Sequence, residues 1–238
     1  MDKINKRHLV VFTGSGISAE SGIPTYRGLN GLWTESEFRF LASMEGWKSS
    51  PELVLEFYNI RRRQIVEASP NDAHLAIKEM ESLFEVTVIT QNVDDLHERA
   101  ASTSVLHLHG EIMKARSTGV ESKIYNLNGK DLNWGDKDDE GYQLRPHIVW
   151  FGESILEMEK ALSILKKAHL LLICGTSLQV YPAAGLIQEV SPACEVYCVD
   201  LDPPPIKSSV TYIQSSATLG VPQLLSEWQS SENNYVKK

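Results

Sequence analysis

Residues 9–28 constrain this chain more than any other stretch. Leu9, Val10, Val11 and Phe12 make an apolar, partly β-branched run that reads as a buried strand. The run ends in Thr13-Gly14-Ser15-Gly16, and a short helix-competent piece follows over 17–21. Gly14, Gly16 and Ala19 fit G-x-G-x-x-[GA], the turn that sets a helix N-terminus against a pyrophosphate. Gly14 allows the tight turn, and Gly16 lets the backbone approach phosphate with no Cβ in the way. A Gly-rich strand–helix connection that binds nothing has the same spelling. The sequel is unusual. Gly22 and Pro24 stop the helix, and a polar loop, Thr25-Tyr26-Arg27-Gly28, continues. A common dehydrogenase turn runs on into a longer helix and a strand ending in an acid. Glu35 and Glu37 lie near that distance, but no strand precedes them and 30–37 reads as loop.

Beyond this turn, strands alternate with helices. Strands are expected at 85–90, 105–110, 170–174 and 195–199, and helices at 51–68, 71–84, 155–168 and 183–190, with a last one from about Val221-Pro222. Ser50 reads as an N-cap with Pro51 at the first helical position. The pattern gives an α/β fold, a Rossmann-like doubly wound parallel sheet. The expected division is a nucleotide-binding domain over 1–28, 70–111 and 148–238, and a smaller inserted subdomain over 29–69 and 112–147. Its 238 residues suffice for that arrangement. A net charge of −8 argues against a general nucleic-acid or anionic-membrane binder. The N-terminal residues hold no apolar signal-peptide stretch, and Cys174, Cys194 and Cys198 make no disulfide framework and read as inert core. The expectation is a cytoplasmic monomer, with 231–238 as a frayed tail.

Three clusters carry potential chemistry. Tyr58 and Arg61 are spaced i, i+3 and share a helix face, where a phenol and a guanidinium suit an acidic ligand. A solvated basic face, Arg61 to Arg63, is the plainer account. Gln91-Asn92-Val93-Asp94 follows a strand, where α/β sheets put ligand contacts, and Asn92 or Asp94 also suits a helix cap. His107 and His109 alternate on one face, and His109 before Gly110 suits either a general base or a packed histidine. His74 reads as structural.

In combination these stretches resemble the sirtuins, the NAD-dependent protein lysine deacylases. Residues 14–28 match GAGIS-x-x-SGIP-x-[FY]RG, with Ser15 for the commoner Ala. Gln91 to His97 match TQN-[IV]-D-x-LH, Leu108-His109-Gly110 follow as LHG, residues 144–153 match LRPH-[IV]-VWFGE and residues 175–184 match GTS-x-x-V-x-PAA. The resemblance implies NAD as cofactor, bound by Gly14, Ser15, Gly16, Ala19, Glu20, Thr25, Tyr26, Arg27, Trp33, Gln91, Asn92, Asp94, Gly175, Thr176, Ser177, Asp200 and Ala217. Asp200 stands where the family usually has Asn and disfavours a 2′-phosphate. His109 becomes the catalytic base, acting with Asn92 and Asp94. Val149, Phe151, Gly152 and Glu153 become the strand that pairs with the acyl-lysine peptide. Tyr58 and Arg61 match the Y-x-x-R pair of the class III branch, which recognises succinyl- or malonyl-lysine, and Ala42 leaves room for the longer acyl group. The implied products are free lysine, nicotinamide and 2′-O-acyl-ADP-ribose. ADP-ribosyl transfer, NAD hydrolysis, a non-catalytic NAD-binding module and a protein-interaction scaffold are the alternatives.

One segment departs from the family. Sirtuins commonly carry two C-x-x-C pairs for a structural zinc after LHG. Here Ser117 stands at the first of those positions, and neither Cys nor His occurs between Gly110 and His147. No metal is expected, and Asp131, Asp136, Asp138, Asp139 and Glu140 read as a solvated charge run. Tyr125, Leu127, Leu132 and Trp134, with the turn signal Asn128-Gly129, suggest a metal-free hairpin module over 117–143.

Overall fold

The computed structural model describes residues 6–25, 35–204, 206 and 209–236. Its elements are β1 (His8–Thr13), α1 (Gly16–Ala19), α2 (Glu35–Leu41), α3 (Met44–Ser49), α4 (Pro51–Glu67), α5 (Asp72–Glu79), β2 (Glu85–Thr90), α6 (Leu96–Arg99), β3 (Val105–His107), β4 (Gly110–Ser117), β5 (Ile124–Asn126), β6 (Leu144–Ile148), α7 (Met158–Leu165), β7 (Leu170–Cys174), β8 (Glu195–Asp200), β9 (Val210–Gln214) and α8 (Ala217–Val236). Single 3₁₀ segments lie at Met80–Ser82 and Ala183–Glu189.

Six strands form one parallel sheet in the order β3-β2-β1-β7-β8-β9. The runs that build its centre, LVVF and LLLIC, are buried along their whole length, because helices cover both faces. Alternation sorts them: Leu9 and Val11 pack with Ile77 of α5 and Leu224 of α8, while Val10 and Phe12 pack with Leu165 of α7. The chain winds outward from β1 to β3 and then returns to β7 on the other side of β1. That reversal opens a crevice at the C-terminal ends of β1 and β7, where such sheets bind ligands.

The second part holds α2 to α4 and an antiparallel sheet, β5-β4-β6. Leu55 of α4, Ala115, Leu132 and Leu144 form its core. Asn128 and Gly129 take positive φ, 50° and 75°, and Leu127 O accepts from Lys130 N across them. The turn delivers Leu132 to α4, where Asn59 Nδ2 donates to Leu132 O (3.0 Å) and Asn59 Oδ1 accepts from Leu132 N (2.9 Å). Arg62 Nη1 donates to the same Oδ1 (2.6 Å) and its Nε to Ile112 O (2.8 Å). Burial pulls the Arg62 guanidinium down to about 10. Asn59 and Arg62 thus tie the module to the helix with side chains alone.

Several sequence expectations are corrected. Glu35 to Glu37 open α2 instead of closing a loop. Ser50 makes no side-chain cap, although Pro51 does start α4. The stretch 127–134 is turn and coil, so the small sheet takes its third strand from 144–148. His109 lies in a bend between β3 and β4, not at the end of one strand over 105–110. Strand β9 was not foreseen, and α8 begins at Ala217 with Pro222 inside it and runs to Val236, through most of the expected tail. Cys174 and Cys198 are core, but Cys194 is only half-buried, in the turn before β8.

Candidate active site

Gly14 and Gly16 are required by a close crossing at the crevice. A Cβ on Gly14 would meet Thr176 Cβ at 2.7 Å, and one on Gly16 would meet Gly175 Cα at 2.7 Å. Gly16 N donates to Gly175 O (2.8 Å) and Gly14 N to Cys174 O (3.1 Å). Positive φ is found at Gly175 (63°), so the tight-turn role read for Gly14 gives way to backbone contact between two strand ends. Ser15 and Ala19 sit on the same β1–α1 connection, and Thr176 and Ser177 follow β7. Asp200 closes β8; burial raises its carboxyl, and its Oδ1 accepts from Asp202 N (3.0 Å). Glu20 reaches the start of α8 beside Ala217, accepting from Thr218 N (3.1 Å) and Oγ1 (2.6 Å). Partial burial pushes Glu20 up, but these bonds hold it below the ordinary carboxylate value. Thr25 is partly buried at the end of this connection, while Tyr26, Arg27 and Trp33 lie outside the described residues.

The loop after β2 supplies the densest polar cluster. Thr176 Oγ1 donates to Gln91 Oε1 (2.9 Å), leaving Gln91 Nε2 buried without a partner. Asn92 Nδ2 donates to Ser18 Oγ (3.2 Å), and Ser18 Oγ donates to Asp94 Oδ2 (3.0 Å). Asn92 Oδ1 is buried and unpartnered. Asp94 Oδ1 accepts from Leu96 N (3.2 Å), closing the turn that leads into α6, while Asp94 also belongs to the pocket. Burial raises the Asp94 carboxyl, against those bonds. A buried donor and a buried acceptor left open each cost about 1–3 kcal/mol. Together they fit a ligand carrying an amide, as the nicotinamide of NAD does.

Two histidines hold the backbone of this loop. His109 Nδ1 lies 2.9 Å from Gln91 O and His107 Nδ1 lies 2.9 Å from Asn92 O. A carbonyl only accepts, so each Nδ1 carries the hydrogen. His107 Nε2 faces Glu98 Oε1 at 2.8 Å; burial pushes this ring down, but Glu98 carries it above the ordinary value. Among the described residues no carboxylate pairs with His109 Nε2, and burial holds that ring below the ordinary value. The two rings are shifted in opposite directions, His107 toward its charged form and His109 toward its neutral form. His97 is buried on Thr13 Oγ1 (3.1 Å) and against His74, whose ring closes the capping box of α5 with Asn71. Among the described residues, Glu98, His107 and Glu111 come nearest to a cation site, but Glu98 already holds His107 and Glu111 holds Lys114 (2.6 Å).

The three adjacent arginines diverge. Arg63 is exposed and pairs with Glu56 and Asp131, Arg62 is the buried tie described above, and Arg61 lines a small pocket with Ser15, Ser18, Ile23, Asn92 and Asp94. Tyr58 does not line that pocket. Its hydroxyl accepts from Trp150 Nε1 (3.0 Å). Ala42 is buried in the same cluster as Tyr58 and Trp150.

The 149–153 segment is less open than its sequence implies. Val149 N donates to His109 O (2.9 Å), Phe151 N to Ala42 O (2.9 Å) and Glu153 N to Trp150 O (2.9 Å). Trp150 N donates to Glu153 Oε2 (2.8 Å). The Gly152 amide takes part in none of these bonds, whereas both backbone groups of Trp150 are taken by Glu153. The sequence reading missed Ser18, Glu98 and Trp150. Ser18 lies inside the Gly-rich motif, whereas nothing local marks Glu98 or Trp150 as partners of His107 and Tyr58.

The family model described as "Sir2 family" matches residues 14–182. A protein of Helicobacter pylori (strain ATCC 700392 / 26695) named NAD-dependent protein deacylase is 51% identical over 194 residues, covering 82% of this chain and 84% of the relative. A Bacteroides thetaiotaomicron protein of the same name is 45% identical over 227 residues, covering 92% and 96%. Among solved structures, a Sir2 homologue in complex with NAD superposes with a TM-score of 0.85 at 33% identity, covering 95% of this chain and 91% of that one.

Proposed function

The chain belongs to the Sir2 family and is an NAD-dependent protein deacylase, and we propose that it removes succinyl and malonyl groups from lysine as well as acetyl. The observation that carries the acyl preference is Arg61, 8% exposed and lining one pocket with Asn92 and Asp94. A guanidinium in that setting matches a carboxylate at the end of an acyl chain.

Bound NAD supplies the acceptor ribose and the nicotinamide leaving group. The residues of the chain position and exclude. Gln91 Nε2 and Asn92 Oδ1 offer the open donor and acceptor for the carboxamide. Ser18 and Asp94 fix the Asn92 side chain. His109 accepts a ribose hydroxyl proton at Nε2, its ring held by the Gln91 carbonyl. Gly152 and the edge around it receive the substrate backbone. The test is turnover of acetyl- and succinyl-lysine peptides with NAD, with products identified by mass. Nicotinamide and an acyl-ADP-ribose from both peptides, with succinyl at least as efficient as acetyl, is the expected result. Acetyl turnover alone overturns the acidic preference, and free ADP-ribose without an acyl ester points instead to transfer or hydrolysis.

The same reading has no place for a four-thiolate zinc, and the residues present do not fit one. Ser117 donates to Asp138, whose Oδ1 accepts from Glu140 N (2.9 Å) and Tyr142 N (2.8 Å). That hydrogen-bonded hairpin, with the Asn59 clamp, supplies the closure that a metal supplies elsewhere. Purified protein is expected to carry far less than one zinc per chain, and to keep its Tm and turnover after dialysis against a chelator. Stoichiometric zinc whose removal lowers Tm would sink this account. The cytoplasm is the setting proposed for the enzyme, a reading supported by its three cysteines without a disulfide, which stay reduced there.

A further inference from the structure

A cavity of about 430 Å³ lies between α3 and the small sheet. Met44 and Trp47 form its apolar side, and Lys48, Arg116, Arg145 and Glu153 its polar side. That is three cations to one carboxylate, in a chain of net charge −8.

Glu153 already accepts four hydrogen bonds. Its Oε1 takes Arg145 Nη1 (2.8 Å), and its Oε2 takes Arg145 Nη2 (2.9 Å), Arg116 Nη2 (2.9 Å) and Trp150 N (2.8 Å). Donors remain. Arg145 is 5% exposed, and its Nε is buried without a partner. Arg116 bonds through Nη2 alone, to Glu153 and to Ile148 O (2.9 Å). Among the described residues Lys48 has no hydrogen bond or ion pair. The local excess of positive charge shows in His147, which burial first and the Arg116 guanidinium second bring down to about 4. Buried guanidinium donors without an acceptor are costly, and an oxyanion answers them with charge-assisted bonds.

The anion has a natural source. Glu153 lines the cavity and directly follows Gly152, whose amide is outside the bonds of the 149–153 segment, so on the substrate reading given above a peptide received at Gly152 passes the cavity. We propose that this cavity is a second specificity subsite, which binds an aspartate or glutamate side chain of the protein substrate near the acylated lysine. The proposal rests on the deacylase reading and on the substrate edge given above. The overall negative charge of the protein disfavours acidic peptides in general. A preference for them therefore has to come from a local site.

The test uses acyl-lysine peptides that differ only by Asp against Asn, placed in turn at each position on either side of the lysine. At one or two positions the Asp peptide is expected to show about 10-fold higher kcat/KM, through KM, equivalent to roughly 1.4 kcal/mol. Lys48→Met should reduce that ratio and Lys48→Glu should abolish it, with the Asn peptide turned over as by the parent enzyme. No discrimination at any position, or discrimination that survives Lys48→Glu, overturns the proposal. Inorganic phosphate provides the other arm. If it binds with dependence on Lys48 while the peptides are not distinguished, the cavity is a site for a free anion and the substrate reading is overturned. Turnover of the Asn peptide separates the two failures. Its absence refutes the deacylase reading, and its presence without discrimination refutes only the subsite.

Discussion

Replacing His109 with alanine is expected to lower kcat/KM for every acyl-peptide by about 100- to 10 000-fold, the usual contribution of a positioned general base. NAD binding, measured by calorimetry, should persist, because the amide-binding groups belong to Gln91 and Asn92. The ring is only partly buried and makes one bond, to Gln91 O, so the fold should survive the truncation. The pH dependence follows with a definite sign. The base works as the neutral ring, and burial holds its pKa below the ordinary imidazole value of 6.5. In the parent enzyme kcat/KM is then flat through neutrality and falls only as pH drops through that lowered value. The residual activity of His109→Ala should lack this limb. His107→Gln provides the contrast: it removes the ring that bridges Glu98 and the Asn92 carbonyl, weakens the hold on Asn92, and leaves the acid limb in place. A His109→Ala enzyme within a few-fold of the parent, or an acid limb unchanged by its loss, would remove the residue from the reaction.

The sequence carries the sheet centre because burial there is two-sided. LVVF and LLLIC are apolar throughout, and no other element class suits so short a run between turn signals. It does not carry β9, whose VTYIQ is an edge with three of five residues exposed and pairs only with β8. Helix α8 starts earlier than Pro222 suggests, since Glu20, far away in sequence, caps its first turn. The arginine run shows the same limit. Adjacent residues on a helix must point apart, but only the fold decides that Arg61 reaches the pocket, Arg62 the Asn59 clamp and Arg63 the solvent. The motif clusters around Gly14, Gln91 and His109 were legible because each sits on a strand end, where one loop fixes several functional groups. Partnerships across the fold, such as Glu98 with His107 or Trp150 with Tyr58, leave no local trace.

Arg61→Met is the substitution that should divide the acyl groups most sharply. The guanidinium is buried beside Asn92 and Asp94, so a carboxylate arriving there forms a desolvated, charge-assisted pair. Removing one partner of such a pair costs about 2–5 kcal/mol, because the other charge is left buried alone, which is roughly a 30-fold or larger loss. That loss should fall on succinyl- and malonyl-lysine and appear in KM. Acetyl-lysine brings no charge, and methionine fills similar volume, so its turnover should change by no more than about 3-fold, the span of an uncharged packing adjustment near 0.6 kcal/mol. Tyr58→Phe acts differently. The hydroxyl accepts from Trp150 Nε1, and Trp150 carries Arg145 on its face with the guanidinium carbon 3.4 Å from the ring centroid. Losing it orphans a buried indole N–H, so Tyr58→Phe should lower Tm as well as succinyl turnover. Equal losses on acetyl and succinyl peptides in Arg61→Met would mean that the guanidinium shapes the pocket without reading the acyl carboxylate. A loss confined to the succinyl and malonyl peptides would assign the recognition to Arg61.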